Sequence, residues 1–189
     1  CGAKHAIQGF TESLRSELLH DDSAVHIVMV QMPALNTPQF DWVKSRLPNK
    51  PQPVPPIYQP EVAAKAIYFA AHDGKRRELE VGLPTVVAVE TNKLLPGAWD
   101  HYLARTNYEA QQTDEPEDPN RPDNLWNPLP GDHGAHGRFD HRAHRFSPQL
   151  WVNTHRSLLF LSGAAIALAV KLITGRNSNQ HNRKKGVGK

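Results

Sequence analysis

The sequence predicts an α/β protein: helices alternating with strands of a parallel sheet, then an irregular extension, then a hydrophobic helix. Three observations predict it. Apolar residues recur at three- and four-residue steps over 2–19, the stripe of an amphipathic helix. A short, nearly continuous run rich in Val and Ile, AVHIVMVQ at 24–31, follows, as expected of a strand buried on both faces of a parallel sheet. A second helix-then-strand pair comes next, at 60–73 and 76–82, in the order of a βαβ repeat.

Each element has its own punctuation. The first helix carries Ala3, Ala6, Ile7, Phe10, Leu14 and Leu18 on one face and ends at His20-Asp21-Asp22-Ser23. MPALNTPQFDWVKSRLP (32–48) starts as a loop and turns helical around Phe40–Leu47. PNKPQPVPPIYQP (48–60) holds six of the 16 prolines. Such a stretch is extended and pairs poorly inside a sheet, so it reads as a surface connector. The helix over 60–73 has Pro60 in its first turn, Glu61 at the positive end of the dipole and Gly74 placed to stop it. RRELEVG (76–82) reads as a strand, PTVVAVE (84–90) as an extended piece or a short helix, and LLPGAWDHYLART (94–106) as helical after Pro96.

Four regions follow: 1–108 as the sheet-based part, 109–156 as a polar extension, 157–175 as a hydrophobic helix and 176–189 as a basic tail. Residues 109–149 are rich in Asp, Pro, Asn, His and Arg and bury little. Trp126, Phe139 and Phe146 are the side chains suited to pin the extension to a surface. In SLLFLSGAAIALAVKLITG (157–175) apolar residues surround the helix, at the short end of a membrane span. Lys171 lies where its stem can snorkel to headgroups. A membrane anchor and a buried or oligomer-forming helix are both open readings, and arginines on both sides leave its orientation open.

Composition narrows the partners. The net charge of +3 comes from basic residues that form no stripe with interleaved aromatics, which speaks against nucleic acid. A single cysteine, Cys1, excludes an internal disulfide framework and fits a reducing, cytoplasmic setting, with membrane association through 157–175 as an addition. Cys1 itself reads as a small helix residue. His133, His136, His141 and His144, with Asp132 and Asp140, follow no zinc spacing and are interleaved with arginines. They read as a solvated mixed-charge stretch, with no metal expected. Asn153-Thr154-His155 is no glycosylation signal.

The opening CGAKHAIQGFTESLRSEL resembles the active-site helix of the short-chain dehydrogenase/reductase family. That family carries Tyr-x-x-x-Lys followed by a small residue, a Gly and a hydrophobic-x-Glu-x-Leu-x-x-Glu-Leu pattern. Here the matches are Lys4, Ala6, Gly9, Phe10, Glu12, Leu14, Glu17 and Leu18, and the tyrosine position falls immediately before Cys1. The resemblance covers about residues 1–105. It implies a Rossmann-type, doubly wound parallel sheet and an NAD or NADP cofactor. The activity it implies is hydride transfer between nicotinamide and a small carbonyl or alcohol substrate. Residues four apart share a helix face, so an ammonium at Lys4 would lower the pKa of a phenol one turn before it. In the family that lysine also holds the cofactor ribose, and the tyrosine exchanges a proton with the substrate oxygen. Taken alone, a helix lysine is ordinarily just solvated.

The family next shows a buried strand, Pro-Gly-x-[Val/Ile]-x-Thr, a substrate loop, a helix and a last strand. Leu35 falls on the aliphatic position, whose backbone holds the nicotinamide carboxamide, and Thr37 on the threonine, whose hydroxyl does the same. Met32-Pro33 replaces Pro-Gly, and Pro33 forbids the positive φ a glycine permits. Thr37 also reads as a turn or cap residue. Phe40, Trp42 and Val43 fall on the substrate-covering segment, and packing against the scaffold explains them equally. The resemblance allows a homo-oligomer and leaves NAD versus NADP to residues outside this chain. The expectation is therefore a fragment of an oxidoreductase, inactive as the isolated chain. The alternative is a non-catalytic, membrane-associated scaffold or interaction protein of the same fold.

Overall fold

The computed structural model describes residues 2–73, 76–162 and 171. Two compact units divide the chain, Cys1–Leu150 and Trp151–Lys189.

Helix α1 spans Gly2–His20, as the periodicity predicts. Its stop has a local cause. Asp22 adopts a left-handed φ of 50°, and the Ser23 N–H reaches back to the Leu18 carbonyl at 2.9 Å, which closes the last turn. The apolar stripe of α1 is nevertheless uncovered. None of its residues is buried, and Phe10 is 67% exposed. Its C-terminal half is tethered by Arg15, whose Nη2 donates to the carbonyls of Ile27 (3.3 Å) and Arg77 (3.2 Å).

Strand β1 is Met29–Gln31, shorter than the predicted 24–31 and only half-buried. It pairs in parallel with β3, Glu78–Glu80, through Met29 opposite Glu78 and Gln31 opposite Glu80. Helix α3, Pro60–Asp73, makes the crossover and ends where predicted, while Gly74 lies outside the described residues. The result is one β-α-β unit whose sheet has two strands. Among the described residues the parallel sheet is this two-stranded piece, smaller than the doubly wound sheet that the family resemblance implies.

The core sits between α3 and that sheet. Val62, Ala66 and Ala70, four residues apart on one face of α3, pack with Leu79 and Val81. The small alanines let the helix axis approach the strands closely. Gly82 then turns the chain into α4, Leu83–Leu94, with φ of 84° and the Tyr58 ring 3.1 Å from where a Cβ would stand. The stretch 84–90 is thus helical rather than extended, with a proline in its first turn. Helix α5, Pro96–Ala110, follows α4 and begins at the predicted proline.

The proline-rich connector contains a strand, which is a correction. β2, Asn49–Pro51, pairs antiparallel with β4, Gln112–Pro116, at the start of the extension. A two-stranded ribbon has no interior, and its register breaks between Asn49 and Pro51, so Pro51 is accommodated without a full ladder. Lys50 and Glu115 close it with a 2.6 Å ion pair. The helix predicted around Phe40–Leu47 is only the single turn α2, Gln39–Trp42.

Within the extension, Phe139 is buried, whereas Trp126 is 86% exposed and Phe146 is also exposed. Helix α6, Pro148–Thr154, starts at the end of the first unit. Gln149 there accepts from the Gly82 N–H (2.8 Å) and donates to the Glu80 carbonyl (3.1 Å), and Leu150 joins the core. In the second unit the Trp151 and His155 rings stack at 4.7 Å, and 156–162 is helical. Among the described residues no helix is long and apolar enough to cross a membrane. Most of the predicted hydrophobic helix 157–175 lies outside the described residues.

Candidate functional site

The loop 32–43 leaves the C-terminal end of β1, the edge of a parallel sheet at which open α/β folds place their ligands. Leu35 bridges to Tyr58, and Tyr58 to His144, so a narrow ladder runs from the loop through the connector into the extension. Asn36 N–H donates to the Tyr58 carbonyl at 2.8 Å, Tyr58 N–H to the Ala34 carbonyl at 2.8 Å, and His144 N–H to the Ile57 carbonyl at 2.8 Å.

Asn36 is the anchor of the loop and is completely buried. Its Nδ2 donates to Gln59 Oε1 (3.1 Å) and to Asp140 Oδ1 (2.8 Å), and its Oδ1 accepts from the Phe139 N–H (3.0 Å). Gly137 lies flat against the next residue. A Cβ there would stand 2.5 Å from the Thr37 carbonyl oxygen, so only glycine fits. Leu35 and Thr37 thus occupy a fixed backbone on either side of a buried asparagine. Among the described residues neither the Leu35 N–H nor the Thr37 hydroxyl has a hydrogen-bond partner. Those are the two groups the family resemblance assigns to a nicotinamide carboxamide, and their chemistry, a donor beside a hydroxyl, suits an amide.

The predicted substrate-covering residues meet the extension. The Phe40 ring meets Phe139 edge-on at 6.2 Å, and Trp42 meets His133 at 4.3 Å. Val43 is exposed, and its carbonyl accepts from Arg121 Nη2 at 2.9 Å. Lys4 is exposed near the start of α1, and no hydrogen bond, ion pair or ring contact joins it to the 35–43 loop. Leu35, Thr37, Phe40 and Trp42 all lie on the 32–43 loop, whereas Lys4 lies on α1.

A polar chain beside the loop was not predicted as a unit. His136 Nε2 lies 2.6 Å from Glu61 Oε1, and its Nδ1 lies 3.1 Å from Asp140 Oδ1. Asp140 Oδ1 also accepts from Gln59 Nε2 at 2.9 Å. The Asp140 and Glu61 carboxylates raise the His136 pKa above its ordinary value. Asp140 is held below its usual range, first by the Gln59 amide and then by His136. Glu61 is lowered first by its own backbone N–H, as befits the first turn of α3, and then by His136. Their sequence signal was weak: His136 and Asp140 read as members of a solvated stretch, and Glu61 as a dipole partner. Among the described residues no group of His, Cys, Asp and Glu side chains is arranged to hold a metal.

A cavity of about 220 Å³ lies elsewhere, at the N-terminal ends of β1 and β3, lined by Arg15, Leu18, His26, Arg76 and Arg77. Glu12, Asp73 and Glu78 pair with its arginines. It contains none of the predicted site residues.

The uncharacterized oxidoreductase YxnA of Bacillus subtilis (strain 168) is 30% identical to this chain over 118 residues. The match takes in 62% of this chain and 33% of that protein, so the chain spans about a third of the length of this relative. No family model matches the chain, and no solved structure matches it.

Proposed function

We propose that this chain contributes to an NAD- or NADP-dependent oxidoreductase of the short-chain dehydrogenase/reductase type, acting on a small carbonyl or alcohol substrate. The similarity to a protein named as an oxidoreductase carries the oxidoreductase part of the reading. The β-α-β unit, with an unspent N–H at Leu35 and hydroxyl at Thr37 beyond its strand, supports the finer part.

In this reading Leu35 and Thr37 hold the nicotinamide carboxamide, and Asn36 fixes the backbone between them. The bound cofactor supplies the hydride chemistry. Lys4 acts on the ribose hydroxyls and on the phenol of a tyrosine one helical turn before it. Phe40 and Trp42 line the apolar side of the substrate, backed by Phe139 and His133.

The test joins cofactor titration to one sequence position. The isolated chain is expected neither to bind NAD or NADP tightly nor to turn over substrate. A longer natural form with tyrosine immediately before Cys1 is expected to do both. Nicotinamide-dependent turnover by the isolated chain would show that the tyrosine is not needed. A tyrosine-bearing longer form that binds neither nucleotide would end the enzymatic reading.

Two observations favour a second reading, a non-catalytic scaffold of the same fold, associated with a membrane through 157–175. The extension backbone at Gly137 is seated against Thr37, and Pro33 stands where the family has glycine. A residue other than tyrosine before Cys1 would decide for it.

A further inference from the structure

We propose that residues 133–144 form a proton-latched strap over the 35–42 loop, with the His136 imidazolium as its latch between Glu61 and Asp140. The strap exists as geometry whatever the loop binds. Its role as a gate rests on the reading of Leu35 and Thr37 as cofactor-holding residues.

The contacts that hold the strap are of two kinds. Some do not depend on pH. The Gly137 N–H donates to the Asn36 carbonyl (3.2 Å), the Phe139 N–H to Asn36 Oδ1 (3.0 Å) and the His144 N–H to the Ile57 carbonyl (2.8 Å). Phe139 is buried against Phe40. The contact between His136 and Glu61 is different. It is the bond that ties the strap to the first turn of α3, and it needs a hydrogen on Nε2.

Only a protonated imidazole donates to both carboxylates at once. A neutral ring has one N–H and must leave either Glu61 or Asp140 facing a lone pair. The charged groups facing His136 are Glu61 from α3 and Asp140 from the strap itself. Gln59 and Asn36, neutral amides, face Asp140 from the connector and the loop. The nearby arginines are engaged elsewhere: Arg138 with Asp41 (3.3 Å) and the Pro51 carbonyl (2.9 Å), and Arg142 with Gln52. No cation other than His136 therefore bridges the two carboxylates among the described residues.

The sign follows. His136 is raised, so its contribution is complete below the ordinary imidazole value of 6.5 and is lost as pH rises through the folded value. Glu61 and Asp140 are lowered, so theirs is complete above 4.5 and 3.8 and is lost only as pH falls through still lower values. The strap is tightest in mildly acidic solution and loosens on the alkaline side.

Amide hydrogen exchange on the full chain tests this, with rates corrected for the intrinsic pH dependence of exchange. Amides of 136–144 are expected to exchange roughly two- to fivefold faster at about pH 8.5 than at about pH 5.5, the range an exposed ion pair supports, while core amides at Leu79 and Val81 keep their ratio. His136→Gln is expected to abolish the difference and show the fast rate at both values. Gly137→Ala, which forces its Cβ onto the Thr37 carbonyl, provides the open reference and is expected to exchange fast throughout. Equal protection of the native strap at both pH values, or a pH dependence that survives in His136→Gln, overturns the latch. Nucleotide titration of the longer form reads the other question separately. Absence of binding at both pH values defeats the functional reading and leaves the exchange result standing.

Discussion

Replacing Asn36 by alanine isolates the buried anchor of the candidate loop. Three side-chain hydrogen bonds disappear together. Two leave buried groups behind, the Phe139 N–H and Gln59 Oε1, in residues only 4% and 3% exposed. An orphaned buried polar group costs about 1–3 kcal/mol, so the pair costs about 2–6 kcal/mol. Asp140 is exposed enough for water to replace the lost donor, and it adds little. The measurement is urea denaturation followed by circular dichroism. With a slope of about 2 kcal/mol per molar, the midpoint drops by about 1–3 M. Asn36→Ala should also release the strap, with hydrogen exchange in 136–144 rising before the core opens. A stability loss below about 0.5 kcal/mol, the range of neutral surface changes, would refute the reasoning. It would mean that the network is already replaced by water in solution.

Two further outcomes follow from burial. Leu79→Ala in β3, where the side chain is 1% exposed, is expected to cost about 2–5 kcal/mol in the same denaturation assay, whereas Phe10→Ala on the uncovered face of α1 should change it by less than about 0.5 kcal/mol. Lys4→Ala should leave the thermal midpoint of the chain unchanged, since its side chain is exposed and unpaired among the described residues. Under the proposed oxidoreductase reading, the same change in a tyrosine-bearing longer form should depress kcat far more than it affects folding, and retention of full turnover would remove Lys4 from the chemistry.

How much the sequence reveals depends on how local each signal is. Helices α1 and α3 match their predicted spans to within a residue or so, because a 3.6-residue stripe and its punctuation lie inside the segment itself. Strand β1 was overread. Its Val/Ile run marks burial and β propensity, but a strand extends only as far as its partner, and β3 offers three residues. The β2–β4 ribbon was invisible because QTDEP has no alternation and NKP contains a proline. Long-range pairing alone defines both. Leu35 and Thr37 are singled out by a family motif alone, a local sequence signal. The Glu61–His136–Asp140 chain has no such signal, since it joins side chains 75 positions apart and no spacing rule reaches that far.

The β2–β4 ribbon has an entropic consequence for the strap. Asn36 and Gln59 are 23 positions apart, but Asn36 and Phe139 are 103 apart. Closing the longer loop costs about 1.3 kcal/mol more than closing the shorter one, by the logarithmic law for flexible chains. The ribbon changes that sum, because pairing Pro51 with Gln112 short-circuits the segment between them. What remains to close is then about forty residues, which lowers the penalty by about 0.8 kcal/mol. The ribbon thus acts as a hinge pin that raises the strap's effective concentration at the loop. Weakening the pair from its Lys50 side would loosen the strap from a distance, because Lys50 pairs with Glu115 and not with a residue of 133–144.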